Sequence, residues 1–265
     1  MNTVSRLWSS AVNSVRRKRL SKRLGRVVIE QIDDAQFVVL PTVFNPNVFR
    51  TGAFMAETLA TSPFAAPPAE GARVDAKAPL ALDMGTGSGV GAVFAARRGY
   101  DVVAVDINPD AVRCARINSL LNGREEQIEV RCGDLFEPIN GRLFDLVLFN
   151  PPFFRGDPKD SLDAAWRGTD VIERFAEGLP RVQKPGGRAL ILMSTDGEEQ
   201  PMLRALRKAG MEVETAVQRD YGNELLSVHC ARRQRGPVDE SLLKEDRERP
   251  LPFQNATVRS AGQQR

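Results

Sequence analysis

Leu80-Ala81-Leu82-Asp83-Met84-Gly85-Thr86-Gly87-Ser88-Gly89 opens as an apolar run and breaks into three alternating glycines. A short apolar run of this kind suits a strand buried on both faces of a parallel sheet. The glycines remove the Cβ atoms that would hold a ligand off the backbone, and a following helix offers free N–H groups at its start. A second stretch, Leu146-Val147-Leu148-Phe149-Asn150-Pro151-Pro152-Phe153-Phe154, begins in the same way and breaks into residues poorly suited to packing. The first stretch reads as the floor of a nucleotide-like cofactor site, and the second as a clamp on a planar nitrogen.

Outward from these two runs, strands and helices alternate. Strand patterns fall at 80–84, 102–106, 127–132, 144–150 and 188–194, with helical patterns near 89–98, 109–121, 170–182 and 199–209. Two further strand patterns, Met211 to Val217 and Glu224 to Ala231, follow with no long helix between them. This alternation predicts an α/β, doubly wound, mostly parallel seven-stranded sheet, with one antiparallel strand supplied by the final hairpin. Ligands of such sheets sit at the carboxyl ends of the strands. Upstream, Val27 to Gln31 and Gln36 to Leu40 flank Asp33-Asp34 as a β-hairpin. Expected boundaries are a basic arm over 1–26, a hairpin, helix and linker over 27–78, the catalytic domain over 79–233, and a polar, disordered tail over 234–265.

Bulk properties exclude several classes. No window approaches the run of about 18 apolar residues that a membrane span needs. Three cysteines, Cys114, Cys132 and Cys230, make neither a disulfide framework nor a zinc pattern, which suits a reducing, cytoplasmic setting. His229 is the only histidine and lies in a strand-like alternation, which argues against His-dependent triads and His-rich metal sites, and no metal is expected. Of the 37 Lys and Arg, eight lie in residues 1–26, which hold no acid; the other 29 face all 34 acidic residues. The net charge of +3 therefore hides a basic arm on a mildly acidic body. Leu7, Trp8, Ala11, Val12 and Val15 recur in that arm at helical spacing, ahead of Arg16, Arg17, Lys18 and Arg19. A docked surface helix, an electrostatic arm for RNA, ribosome or anionic lipid, and a transit peptide all fit this pattern.

Asp106 ends the strand after the glycine loop, where a carboxylate can accept both hydroxyls of a ribose. Gly87-Ser88-Gly89-Val90-Gly91-Ala92 also satisfies a loose dinucleotide fingerprint, so a nicotinamide-dependent oxidoreductase competes at this point. Two acids shift the balance. Asp83, just before the glycines, would repel a pyrophosphate but could hold an ammonium; Asp134, after the third strand, can accept from an adenine amine. Acids after three successive strands suit a cationic, adenosine-bearing ligand such as S-adenosylmethionine.

Pro151 and Pro152 supply no N–H groups and fix their φ angles, so the Asn150 side chain and the Pro151 carbonyl can point rigidly into the cleft. Such a pair accepts both hydrogens of an –NH₂ on a planar carbon, while Phe153 or Phe154 stacks on the flat group. The lone pair of that nitrogen is delocalised; two acceptors favour its increasingly positive form, and alignment with a sulfonium methyl supplies the rest. No general base is obligatory.

Asp83 to Gly89, Val105-Asp106-Ile107-Asn108-Pro109-Asp110-Ala111, Gly133-Asp134-Leu135-Phe136 and Lys184-Pro185-Gly186-Gly187 together resemble the successive motifs of class I S-adenosylmethionine-dependent methyltransferases. The Asn-Pro-Pro-Phe motif is similar to that of amino-methyltransferases acting on glutamine side chains, adenine N6 or guanine N2. Phe44-Asn45-Pro46 followed by Arg50-Thr51 resembles the Tyr-x-Pro-x-x-Asp-Thr segment of release-factor glutamine methyltransferases, although the acid is missing here. Ala165-Trp166-Arg167-Gly168 and Tyr221 to Leu226 are similar to stretches of the compact archaeal and eukaryotic branch. The resemblance implies a Rossmann-like fold and S-adenosylmethionine as cofactor. It implies cofactor contacts from Thr51, Asp83, Gly85, Thr86, Gly87, Gly89, Asp106, Ile107, Asp134, Leu135 and Asn150, and catalysis by Asn150, Pro151, Pro152 and Phe153. The acceptor it implies is a protein glutamine, in a translation factor or ribosomal protein, with RNA base N-methylation as the alternative.

Overall fold

The computed structural model describes residues 25–48, 50–69, 77–152, 156, 168–195, 197–222 and 224–234. The expected N-terminal helix, the polar tail, Phe153, Phe154 and Trp166 lie outside the described residues. In chain order come β1 (Val28–Ile32), β2 (Ala35–Val39), α1 (Thr51–Thr61), β3 (Leu80–Met84), α2 (Val90–Arg97), β4 (Asp101–Asp106), α3 (Pro109–Leu121) and β5 (Ile128–Cys132). They are followed by β6 (Phe144–Phe149), α4 (Val171–Val182), β7 (Gln183–Ser194), α5 (Glu199–Lys208), β8 (Met211–Asp220) and β9 (Leu225–Arg233).

The large sheet has seven strands in the order β5-β4-β3-β6-β7-β9-β8. β9 runs antiparallel to both of its neighbours, as the final strand pair predicts. The order reverses between β3 and β6, and it is there that open α/β sheets part to admit a ligand. Register makes that point precise. Met84 pairs with Val105 on β4 and with Phe149 on β6, so Gly85, Asp106 and Asn150 leave the sheet at one level. Asp106 in turn pairs with Cys132, which brings Gly133-Asp134 to the same edge.

Strand residues point alternately to opposite faces, and each face of the sheet is covered. Ala81, Val102, Ala104, Leu146, Leu148, Leu190 and Leu192 pack under α1, α2 and α3, including Phe54, Val93 and Ala115. Leu82, Met84, Val103, Val147, Phe149 and Ile191 pack under α4 and α5, including Phe175, Leu179, Met202 and Leu206. Each such fully buried large side chain contributes about 1.5–3 kcal/mol. β7 begins earlier than its apolar run. Gln183 pairs with Phe144, and Arg188 is the next residue in register, with Leu146. Lys184-Pro185-Gly186-Gly187 bulges out between them, and Lys184 Nζ reaches Asp145 at 3.1 Å.

The β1–β2 hairpin forms a separate two-stranded sheet. Its turn at Asp33 takes φ 54, a conformation that aspartate tolerates better than branched residues. Buried side chains tie it to the cofactor side of the domain. The Asn118 amide accepts from Val38 N–H at 2.7 Å and donates to the carbonyls of Val38 and Ser88. Glu30, also buried, accepts from Asn45 Nδ2 at 2.8 Å and Asn47 Nδ2 at 3.0 Å, while Asn45 Oδ1 takes the N–H groups of Asn47 and Val48. Asn45, Asn47 and Val48 are thereby held against β1.

Candidate active site

A cavity of about 620 Å³ opens at the carboxyl ends of β3, β4, β5 and β6. It falls within the 300–1,000 Å³ range typical of small-ligand sites. Asp83, Gly85, Thr86, Gly87, Asp106, Ile107, Asp134, Leu135, Asn150, Pro151 and Pro152 all line it. Eleven of the fourteen site residues read from the sequence are thus brought together. Thr51 and Gly89 are not among the lining residues, and Phe153 lies outside the described ones.

Asp106 braces the glycine loop. Its Oδ2 accepts from Gly87 N–H at 2.8 Å and its Oδ1 from Asn108 N–H at 2.9 Å. Gly87 takes φ 56, which turns its N–H toward that carboxylate and which side-chain-bearing residues adopt reluctantly. Burial raises the Asp106 pKa, and the N–H groups of Asn108, Gly87 and Ile107 oppose the rise. Each carboxylate oxygen keeps a second lone pair for a ribose hydroxyl. Asp83 has a different local role. Its Oδ2 accepts from Thr86 Oγ1 at 2.6 Å and from Ala92 N–H at 2.8 Å, so it ties the loop to the first turn of α2. Burial pushes its pKa up to about 6, partly offset by those hydrogen bonds. Gly89 acts behind the loop: at φ 82, an added Cβ would stand 3.1 Å from Ala115 Cα on α3.

Asp134 pairs with Arg174 of α4 at 2.6 Å, a partner no motif announces. Hydrogen bonding to Asp134 raises the Arg174 pKa. Leu135 follows at φ 45, a sterically expensive value for leucine. Ile107 lines the cavity and is 60% exposed, an apolar surface open to a flat ligand.

Asn150 stands at the centre of the site. Its Nδ2 donates to Thr51 Oγ1 at 3.4 Å, while its Oδ1 is buried and, among the described residues, has no hydrogen-bond partner. A buried acceptor left unpaired is costly and points to a donor arriving from outside. Thr51 therefore enters the site through Asn150. Sequence reading missed Arg174 and the Gly52–Pro46 contact, where an added Cβ on Gly52 would meet Pro46 Cβ at 2.2 Å. Both residues of that contact line the cavity.

An adenosine-bearing, cationic ligand fits these residues. The described lining holds the acids Asp83, Asp106, Asp134 and Asp170, an apolar shelf at Ile107 and loop backbone at Gly85 and Gly87 free of side chains. A doubly wound sheet with such a site at its switch point defines the class of S-adenosylmethionine-dependent methyltransferases. Residues 36–220, well over half of the chain, match the model of the methyltransferase small domain, and the chain belongs to that family. It is a methyltransferase, and S-adenosylmethionine is its methyl donor.

Known relatives divide by acceptor. The chain is 33% identical over 153 residues to a putative protein N5-glutamine methyltransferase of Methanocaldococcus jannaschii, covering 54% of this chain and 76% of that protein. It is 36% identical over 135 residues to the ribosomal RNA small subunit methyltransferase C of Alcanivorax borkumensis, covering 51% of this chain and only 37% of that one. Among solved structures, a T. thermophilus 16S rRNA N2 methyltransferase in complex with S-adenosylmethionine and guanosine shares the fold. Its TM-score is 0.54 at 19% identity, over 79% of this chain and 50% of that one. Among the described residues, no helix is long and apolar enough to cross a membrane.

Proposed function

We propose that the chain transfers the methyl group of S-adenosylmethionine to the planar amide nitrogen of a glutamine side chain, in a translation factor or ribosomal protein. The observation that carries this reading is the buried Asn150 Oδ1, which has no partner among the described residues, beside a Nδ2 that donates to Thr51 and ahead of two prolines. In this reading Asn150 Oδ1 and the Pro151 carbonyl accept the two amide hydrogens and fix the nitrogen's orientation. Their acceptor character favours the nitrogen as it gains positive charge, and the proton it sheds passes to water. Pro151 and Pro152 carry no N–H that could compete for those acceptors. When bound, S-adenosylmethionine supplies an electrophilic methyl on its sulfonium. Asp106 would hold its ribose, Asp134 and Leu135 its adenine edge beside Ile107, and Gly85 to Gly87 its body, while Thr51 acts through Asn150.

The protein acceptor is favoured by the M. jannaschii relative, whose length is matched to 76%, against 37% for the RNA enzyme. N-methylation of an RNA base is the second reading, favoured by the 36% identity to that enzyme. Incubation with cell extract and methyl-labelled cofactor, followed by protease or nuclease digestion, separates the two. Label released by protease and located on glutamine by mass spectrometry is the expected result. Label released by nuclease overturns the glutamine reading.

A further inference from the structure

Helix α4 grips the loop after β5 at three points. Arg174 Nη2 donates to Asp134 Oδ2 at 2.6 Å, and both residues line the cavity. Phe175, next on the helix, stacks on Phe136 with ring centroids 5.6 Å apart and on Phe149 at 4.0 Å. Gly178 lies so close to Phe136 that an added Cβ would stand 2.4 Å from its ring. A glycine inside a helix lowers its stability, and here it admits the Phe136 ring. The loop is thus held on either side of Leu135, whose backbone is strained at φ 45. Through Phe149 the same helix abuts the residue that precedes Asn150.

Within that grip the Asp134 carboxylate has one fastening. Among the described residues, Arg174 is the only side chain that hydrogen-bonds it, and the bond falls on a single oxygen. Asp170, one turn earlier on α4 and also in the cavity lining, holds the Arg174 guanidinium at 3.7 Å. Both partners of the Asp134–Arg174 pair are partly exposed, and such pairs add little to fold stability. The contact has more to offer a ligand. A carboxylate free to turn at a cavity wall must be ordered before it can accept a bond, whereas one already held loses no such freedom on binding. With Oδ2 on Arg174, Oδ1 keeps its lone pairs for a donor in the cavity.

We infer that Arg174 is a positioning residue for the cofactor: it fixes the Asp134 carboxylate so that the free oxygen accepts from the 6-amino group of the purine. The inference rests on the reading of Asp134 as the adenine partner and does not depend on which acceptor is methylated. It makes Arg174, acting through Asp134, a determinant of which purine the site takes. A carboxylate gains a charge-assisted bond from an amine and nothing from a hydrogen in the amine's place.

Isothermal titration of the intact chain with S-adenosylhomocysteine, and with its analogue in which hydrogen replaces the purine 6-amino group, tests this. Wild type is expected to bind S-adenosylhomocysteine at least about tenfold more tightly than the analogue, and Asp134→Ala to abolish that preference. Arg174→Gln is expected to cut the preference by about threefold or more, by weakening S-adenosylhomocysteine while the analogue is unaffected. Arg174→Lys, which keeps a cation, should retain more of the preference than Arg174→Gln. The ratio of the two affinities is the deciding readout, because a residue that merely braces the fold weakens both ligands alike. Equal weakening of both ligands by Arg174→Gln, or an unchanged preference, overturns the role given to Arg174 while leaving Asp134 as the adenine partner. A wild type that does not distinguish the ligands, or a preference that survives Asp134→Ala, overturns the reading of Asp134 and the inference with it.

Discussion

Asp83 gives the most direct quantitative test of the site. The residue is only 6% exposed, and burial raises its pKa from 3.8 to about 6 in the folded chain. Between those values the folded state holds a proton that the unfolded state has released, so stability falls as pH rises through this window. The contribution is fully present below about pH 3.8 and is lost once the pH passes about 6. At 1.36 kcal/mol per pKa unit, the whole effect is about 3 kcal/mol, of which roughly 2.5 kcal/mol develops between about pH 7.5 and pH 4. Asp83→Asn keeps an oxygen that can accept from Thr86 and Ala92 but removes the titration. Urea unfolding across that range is the assay. The stability of wild type relative to Asp83→Asn should rise by about that amount as the solution is acidified. Asp106 also has a raised pKa but is present in both proteins, so its contribution largely cancels in the difference. Parallel stability profiles for the two proteins would refute the argument that Asp83 is a buried, strained anion at neutral pH.

Asn150→Ala should lower methyl transfer by about a hundredfold or more, measured with labelled cofactor, while S-adenosylhomocysteine affinity changes far less. Gly52→Ala places a Cβ 2.2 Å from Pro46 Cβ. The overpacking should destabilise the chain by about 1–3 kcal/mol, seen as a lowered thermal midpoint. In the folded chain a thiol reagent should modify Cys132 rapidly and leave Cys114 and Cys230 unreacted. The last two are buried, and burial holds the Cys114 pKa up at about 11 and raises that of Cys230. Mass spectrometry of the modified peptides checks this, and denaturant should release the protected thiols.

Much of the fold was legible because its signals are local. The apolar runs at 80–84 and 144–149 and the helical spacing of 109–121 announce their elements without help from distant residues. Pro109 at the start of α3, after Asn108, is an N-terminal signal of the same local kind: Asn108 Oδ1 accepts from Asp110 N–H at 3.0 Å. The β7 boundary was not legible. Lys184-Pro185-Gly186-Gly187 carries turn chemistry, but the pairing of Gln183 with Phe144 draws the strand start to before the bulge. The division of labour between Asp83 and Asp106 was also hidden. Both lie in the last two residues of a strand, and only the packed positions of Ala92 and Gly87 show what each carboxylate holds.

By itself the sequence determined the alternation of strands and helices, the glycine turn after β3, and the presence of Asn-Pro-Pro after β6, since each depends on neighbours a few residues away. Only the tertiary structure decided which polar atoms were left without partners. Asn150 meets Thr51 across 99 residues of chain, Arg174 reaches Asp134 across 40, and Arg50 stacks on Tyr221 from the far end of the domain. Whether a buried oxygen or guanidinium is satisfied depends on every group packed around it, and those groups come together only when the sheet closes.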